Sequence, residues 1–375
     1  MTDLRSTTYS PHQARILSPS HPLTPPKDMV AAVLYGREDV RVERIPVPDV
    51  EEGEVRVRIG AALTCGTDVK VYRRGYHARM LHPPTPFGHE FAGIIEEVGH
   101  GVTKWQVGQR VVAANSAPCG ECFYCRRQLT ELCEDLLFLN GAYAERITVP
   151  ARIVEKNLYA IPDHLSFEEA ALTEPLACVV RGMEEVPIRS GETVVVIGVG
   201  PIGLMFIRLC HQAGARVLAA GKWAGRLALA LRFGAAEVFD VAEGPDIVHR
   251  LRARTEGGRG ADKVIEAVGL PEAWEQAIAI GRKGATVSLF GGCPADSVVR
   301  LDTHRVHYDE VRLAGTFHHR PHNVQDALNL IASDRVPARE FIQRRAPLRV
   351  LPGILADLAA GSGVIKTAIL PSAQE

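Results

Sequence analysis

Cys119, Cys122, Cys125 and Cys133 stand in a C-x2-C-x2-C-x7-C run. Four thiolates that close together fill the tetrahedral shell of a zinc ion, which marks a closed, structural set. A second group differs in kind: Cys65, the adjacent His89 and Glu90 of FGHE, and Glu174 of TEPLA. A mixed thiolate, imidazole and carboxylate set leaves a coordination position for water or substrate, as a working metal requires. A third motif, Gly198-Val199-Gly200-Pro201-Ile202-Gly203, follows the apolar run TVVVI. Its glycines allow a tight turn, approach of the backbone to a pyrophosphate and close helix packing, while the helix start supplies amide donors. Pro201 and Ile202 fall in the first helical turn, where a missing N–H does no harm.

The end of the second strand selects the cofactor. An acidic residue about 20 positions after the turn would hold the ribose 2′-hydroxyl of NAD. Here the strand ends in Gly221-Lys222-Trp223, with Arg226 following and no carboxylate. Without the acid a 2′-phosphate is not repelled, and Lys222 or Arg226 can pair with it. The other reading makes both cations solvated residues of a helix start. NAD(P) is the expected cofactor, with NADP preferred.

The elements that must position these residues change texture along the chain. Between about residues 29 and 150, MVAAVLY, VRVERIPV, EVRVRIGAAL, FAGIIEEVG and QRVVAA read as strands, with little helical period. The texture changes near SFEEAALTEPLACVVRGMEEV, where Ser166 can cap a helix with Glu169 three residues on, as in a capping box. From Thr193, TVVVI, ARVLAA, AEVFD, DKVIEAV, GATVSLFG and VRLAGTF read as strands. PIGLMFIRLCHQAG, AGRLALALRFG, PDIVHRLRARTEG and PEAWEQAIAIGRK read as helices between the first five. Such alternation predicts an α/β fold with a doubly wound parallel sheet. NVQDALNLIASDRV then predicts a last helix before a short mixed tail.

Composition removes several functions. The 375 residues are 46% hydrophobic and carry a formal net charge of -1, so no basic face is available for nucleic acid. No apolar run approaches the roughly 20 residues that span a bilayer. Four of the eight cysteines cluster and the others scatter, which suits metal binding in a reducing, cytoplasmic setting. Residues 1–28, rich in Pro, Ser and Thr, predict a disordered extension without the apolar centre of a secretory signal. Met29 opens the first strand and is an alternative start codon.

Taken together, TCGTD, PFGHEFAG, the four-cysteine run, TEPLAC and VVVIGVGPIGL resemble the zinc-dependent medium-chain alcohol dehydrogenases, in the sorbitol and threonine dehydrogenase branch. The resemblance runs from about Met29 to the chain end. It implies a Rossmann sheet inserted into a mainly-β GroES-like catalytic domain. The boundaries expected are 29–178 for the catalytic domain with its zinc lobe at about 115–135, 179–320 for the cofactor domain, and 321–375 for the return. It implies two zinc ions per chain, with Cys65, His89 and Glu174 as ligands of the catalytic one. Glu90 is then an exchanging or outer carboxylate, and Thr67 starts a proton relay. The zinc would act as a Lewis acid that lowers the pKa of the alcohol before hydride transfer to the nicotinamide. Lys70 stands where many relatives carry a histidine, and is either a relay group or a solvated lysine. Tyr72, Phe87 and the stretch Phe317 to Asn323 are candidates for the pocket wall or for ordinary loop.

The function expected is oxidation of a secondary alcohol or polyol to the ketone, by a homo-oligomer for which the family favours a tetramer over a dimer. An L-threonine 3-dehydrogenase-like activity is the alternative within the branch. A zinc-free quinone or enoyl reductase is a rival on the same fold, and a zinc-stabilised binding or regulatory protein is the rival from another class.

Overall fold

The computed structural model describes residues 27–371 apart from 78, 79 and 245. All but the last two residues of the expected N-terminal extension lie outside that range. None of the described helices is long and apolar enough to cross a membrane.

The strand-rich part builds a seven-stranded sheet. Its path runs Leu158–Ala160, Arg110–Ala113, Glu90–Val98, Val55–Leu63, Lys366–Leu370 and Ile342–Pro347, with Arg146–Val149 paired to Val55–Leu63. Val- and Ile-rich strands with small residues at Gly60 to Ala62 and at Ala92 and Gly93 bury most of both faces here. The register sets Leu63 opposite both Glu90 and Ala368. Residues just past the end of Val55–Leu63 are thereby brought beside His89 and Lys366. A smaller sheet joins Asp28–Gly36 to Asp39–Pro46 and Thr85–Pro86.

The second layered unit is a six-stranded parallel sheet. In spatial order its strands are Ala235–Asp240, Arg216–Gly221, Thr193–Ile197, Ala261–Glu266, Gly281–Leu289 and Arg312–Gly315. Strand order reverses between Thr193–Ile197 and Ala261–Glu266, and such a sheet opens its ligand crevice at that point. This is the doubly wound α/β sheet that the alternating pattern predicts.

The helix expected at Ser166 forms, and a second one follows it: Phe167–Ala171 and then Thr173–Glu185. Pro175 has no N–H to give to Ala171, so the ladder breaks and restarts. The Ser166–Glu169 capping box does form. Gly281, Arg282 and Lys283 begin a strand and do not end a helix, because the backbone turns extended at Gly281 (ψ 140°). Finally, the strand-rich part contains a helix, Gly66–Arg74, that hydrophobic period does not announce.

Candidate functional site

Cys65 closes the Val55–Leu63 strand and caps the helix Gly66–Arg74. Its Sγ accepts the Thr67 N–H at 3.4 Å, and the Asp68 carboxylate returns to the Cys65 N–H at 2.9 Å. The same buried Asp68 lies 3.1 Å from His89 Nδ1 and 2.5 Å from the Tyr143 hydroxyl. Asp68 therefore fixes the imidazole with Nδ1–H engaged and leaves Nε2 for a metal. Although burial works against a charged imidazolium, Asp68 raises the His89 pKa well above its ordinary value.

Cys65, His89 and Glu90 offer ligand atoms within 4.8 Å of one another. Glu174 does not complete that cluster. It lies in an adjoining one with Cys178 and His318, drawn together within the same span. Burial lifts the Glu174 carboxyl to about 7, against the opposing pull of His89. Glu90 is fully buried, and Lys366 Nζ stands 2.8 and 2.5 Å from its two oxygens. Lys366 also donates to the Thr64 carbonyl at 3.0 Å. The structure thus gives Glu90 a salt-bridge partner in addition to its place beside Cys65 and His89.

The four cysteines of the run meet. Their sulfur atoms all lie within 4.8 Å, the shortest separation being 3.5 Å between Cys119 and Cys133. Backbone N–H groups of Glu121 and Cys122 point at Cys119 Sγ, and that of Cys125 points at Cys122 Sγ. The N–H groups of Cys125 and Glu134 draw the Cys122 thiol down to about 6, whereas burial pushes Cys125 up to about 12. Among the described residues every cysteine is unbridged. The donor set fits a zinc ion as four thiolates would.

The glycine turn has the shape a dinucleotide needs. Gly198 takes φ 105°, and a Cβ on Gly203 would stand 1.7 Å from the Gly198 carbonyl oxygen. At Gly200, by contrast, a Cβ would meet nothing within 4 Å, so open space lies over the start of helix Pro201–Gln212. Ile202 is half-buried in its first turn. A Cβ on Gly221 would come within 2.2 Å of the Val199 side chain. Lys222 is exposed beyond the strand end. Arg226 is placed differently: it donates at 2.8 Å to the carbonyls of Gly363 and Val364 and lies over the Trp223 ring. Its guanidinium is thus spent on the backbone, and Lys222 is left as the cation at this strand end.

Thr67 is half-buried beside Cys65. Lys70 is exposed and donates to the Gly292 carbonyl at 3.2 Å, which joins the Cys65 helix to the loop after Gly281–Leu289. Phe87 and Tyr72 belong to the buried core of the strand-rich unit. The stretch after Phe317 does reach the site. His318 Nε2 lies 2.5 Å from Ser116 Oγ, and His319 Nε2 lies 3.9 Å from Glu174 Oε1. Their rings stack at 4.0 Å. Burial brings His318 down to about 3 and takes His319 well below the ordinary range.

Several groups here escape motif reading. Asp68 follows Cys65 at capping-box spacing, a signal that TCGTD contains. Lys366 and Glu131 carry none. Glu131, inside the cysteine run, accepts from Arg181 at 3.0 Å and from Arg320 at 2.7 and 2.8 Å. Burial alone would raise its carboxyl, but the two guanidiniums hold it at about 2.

Two family models match: an alcohol dehydrogenase GroES-like domain over residues 51–163 and a zinc-binding dehydrogenase over residues 201–333. The chain is 31% identical over 350 residues to a sorbitol dehydrogenase of Bombyx mori, covering 90% of this chain and 97% of that one. It is 34% identical over 260 residues to an L-threonine 3-dehydrogenase of Bacillus licheniformis, covering 68% and 73% respectively. Among solved structures, a zinc-binding dehydrogenase from Sinorhizobium meliloti bound to NADP matches with a TM-score of 0.84. That match has 29% identity and covers 92% of this chain and 99% of that one.

Proposed function

The chain belongs to the zinc-dependent medium-chain dehydrogenases of the sorbitol and threonine dehydrogenase branch, and from that premise we propose that it oxidises a neutral polyol or secondary alcohol to the ketone with NADP. It is an NAD(P)-dependent alcohol or polyol dehydrogenase. The observation that carries the finer reading is the helix Thr173–Glu185. It presents Glu174 within electrostatic reach of His89 and packs against Pro201–Gln212, the helix that opens at the dinucleotide turn. One element therefore ties a metal-ligand set to a hydride acceptor's crevice.

Cys65, His89 and Glu174 would hold a catalytic zinc, and the four clustered cysteines a structural one. When bound there, zinc would supply Lewis acidity toward the alcohol oxygen and NADP would supply the hydride acceptor. Asp68 orients His89, Lys366 neutralises Glu90, and the half-buried Thr67 hydroxyl is the group placed to take the alcohol proton outward. Support for NADP comes from the missing acid at Gly221 and from exposed Lys222. Support for a neutral, hydroxyl-rich substrate comes from His319, whose two ring nitrogens are buried without a protein partner, as an incoming hydroxyl would require. Lys70 in place of a histidine makes threonine the weaker substrate.

Homo-oligomer formation, to a tetramer, is part of the same reading. Arg312–Gly315 is the edge of the parallel sheet, and Val298, Tyr308 and Leu313 are exposed near it in sequence. A cytoplasmic setting accords with cysteines that are all unbridged among the described residues.

The test is a panel of polyols, simple secondary alcohols and threonine, followed at the reduced-nicotinamide absorbance with NAD and NADP, alongside zinc analysis. Two zincs per chain, a polyol as best substrate and a higher kcat/KM with NADP are expected. One zinc per chain, or a Cys65→Ala enzyme with full turnover, would refute the assignment.

A further inference from the structure

The four-cysteine lobe touches the open site at two points that a purely stabilising role does not require. Glu131 lies in the turn Thr130–Leu132, two residues before Cys133, and is 4% exposed. Its carboxylate bridges two guanidiniums. Arg181 sits on the helix Thr173–Glu185, seven residues or two turns beyond Glu174 and on the same face. Arg320 follows directly on His318 and His319 and begins the helix Pro321–Ala332. The second contact is Ser116, at the base of the lobe, against His318.

His318 takes φ 61°, a left-handed backbone that a histidine adopts at a cost. Such a corner persists only where its surroundings hold it. Here the holders are Arg320, bound through Glu131 to the lobe, and Ser116. Remove the Glu131 charge, and Arg320 loses the carboxylate that ties it to the lobe, while Arg181 keeps only Glu185 on its own helix.

We infer that Glu131 is a positioning residue for the open site: through Arg181 and Arg320 it makes the folded, metal-loaded cysteine lobe set the placement of Glu174 and of the His318–His319 corner. The inference rests on the functional reading above. The lobe is then a control on alcohol binding as well as a clamp on the fold.

The test uses full-length enzyme with zinc in the lobe and cobalt in the open site, for wild type, Glu131→Gln, Glu131→Asp and Arg320→Gln. Visible cobalt bands, the KM and kcat for sorbitol, the Kd for NADPH and the Tm are read together. Glu131→Gln is expected to shift the cobalt bands and raise KM roughly tenfold with kcat less affected, the size typical when outer partners of metal ligands are lost. NADPH affinity is expected to stay at the wild-type value, Glu131→Asp to fall in between, and Arg320→Gln to shift the bands in the same direction. Cobalt bands and KM at wild-type values in Glu131→Gln, with only a lower Tm, overturn the inference. Should Glu131→Gln fail to fold, Arg320→Gln decides alone, because it leaves the Glu131–Arg181 pair in place. A wild-type cobalt band that survives Cys65→Ser instead overturns the functional reading, and this inference with it.

Discussion

Lys366 Nζ and the Glu90 carboxylate, 276 positions apart in sequence, form an ion pair at 2.5 Å in which both side chains are buried. Removing one partner strands the other as a bare charge in the interior. Lys366→Met is therefore expected to cost about 3–5 kcal/mol of stability. Glu90→Gln in the same chain should recover much of that loss, since the uncompensated charge is then gone. Urea unfolding of both single variants and the double variant measures the coupling.

Lys222 and Arg226 separate by role. Lys222→Ala should lower kcat/KM for NADP by roughly tenfold, as the loss of one charge-assisted contact does, and leave NAD nearly untouched. Arg226→Ala removes its bonds to the Gly363 and Val364 carbonyls and should lower the Tm while impairing both cofactors alike. Steady-state kinetics with each cofactor distinguish the two patterns. Equal losses for NAD and NADP in Lys222→Ala would count against a 2′-phosphate contact.

Glu266, fully buried at the end of Ala261–Glu266, has its pKa raised by burial, although the N–H groups of Gly269, Val268 and Gly291 oppose the shift. A carboxyl with a folded pKa above its unfolded value binds its proton more tightly in the folded state. Its ionisation thus costs stability, a penalty absent below the unfolded value near 4.5 and complete above the folded one. Glu266→Gln should therefore gain stability relative to wild type as pH rises from about 4.5 toward neutrality. Denaturant titrations at pH 5 and pH 7 give the comparison, and a gain that shrinks with rising pH would have the wrong sign.

His319→Leu keeps the buried volume and removes both unpaired ring nitrogens. KM should rise roughly tenfold for a polyol, whose hydroxyls can use those nitrogens, and change little for 2-propanol, which has none to spare. A panel of substrates on the two enzymes settles this, and parallel changes for both alcohols would assign His319 to packing alone.

The sequence makes the local features legible. Cysteines at C-x2-C-x2-C spacing must meet whatever surrounds them, and a glycine turn between a strand and a helix has one common use. The alternating elements after Thr193 predict the parallel sheet for the same reason: each unit is short. The Ser166 cap was readable, yet the break before Thr173 needed attention to the N–H that Pro175 lacks. Lys366 and Arg320 could not be read at all, because their partners Glu90 and Glu131 are 276 and 189 positions away. A lone buried cation has no local pattern. Glu174 is intermediate: TEPLA marks it, but its grouping with Cys178 and His318 depends on the loop that follows the edge strand Arg312–Gly315.

The strand Lys366–Leu370 pairs with Val55–Leu63 and is the last strand described in the chain. On a ribosome, the first strand of that pair would wait with one edge unpaired while the whole parallel sheet is made, and that edge would be covered only once Lys366–Leu370 leaves the exit tunnel. The lobe cysteines and the glycine turn can take shape earlier, whereas the pocket around Glu90 can close only after that strand is made. Metal acquisition by this chain would then proceed in two instalments, the lobe's before Lys366 is made and the open site's after it.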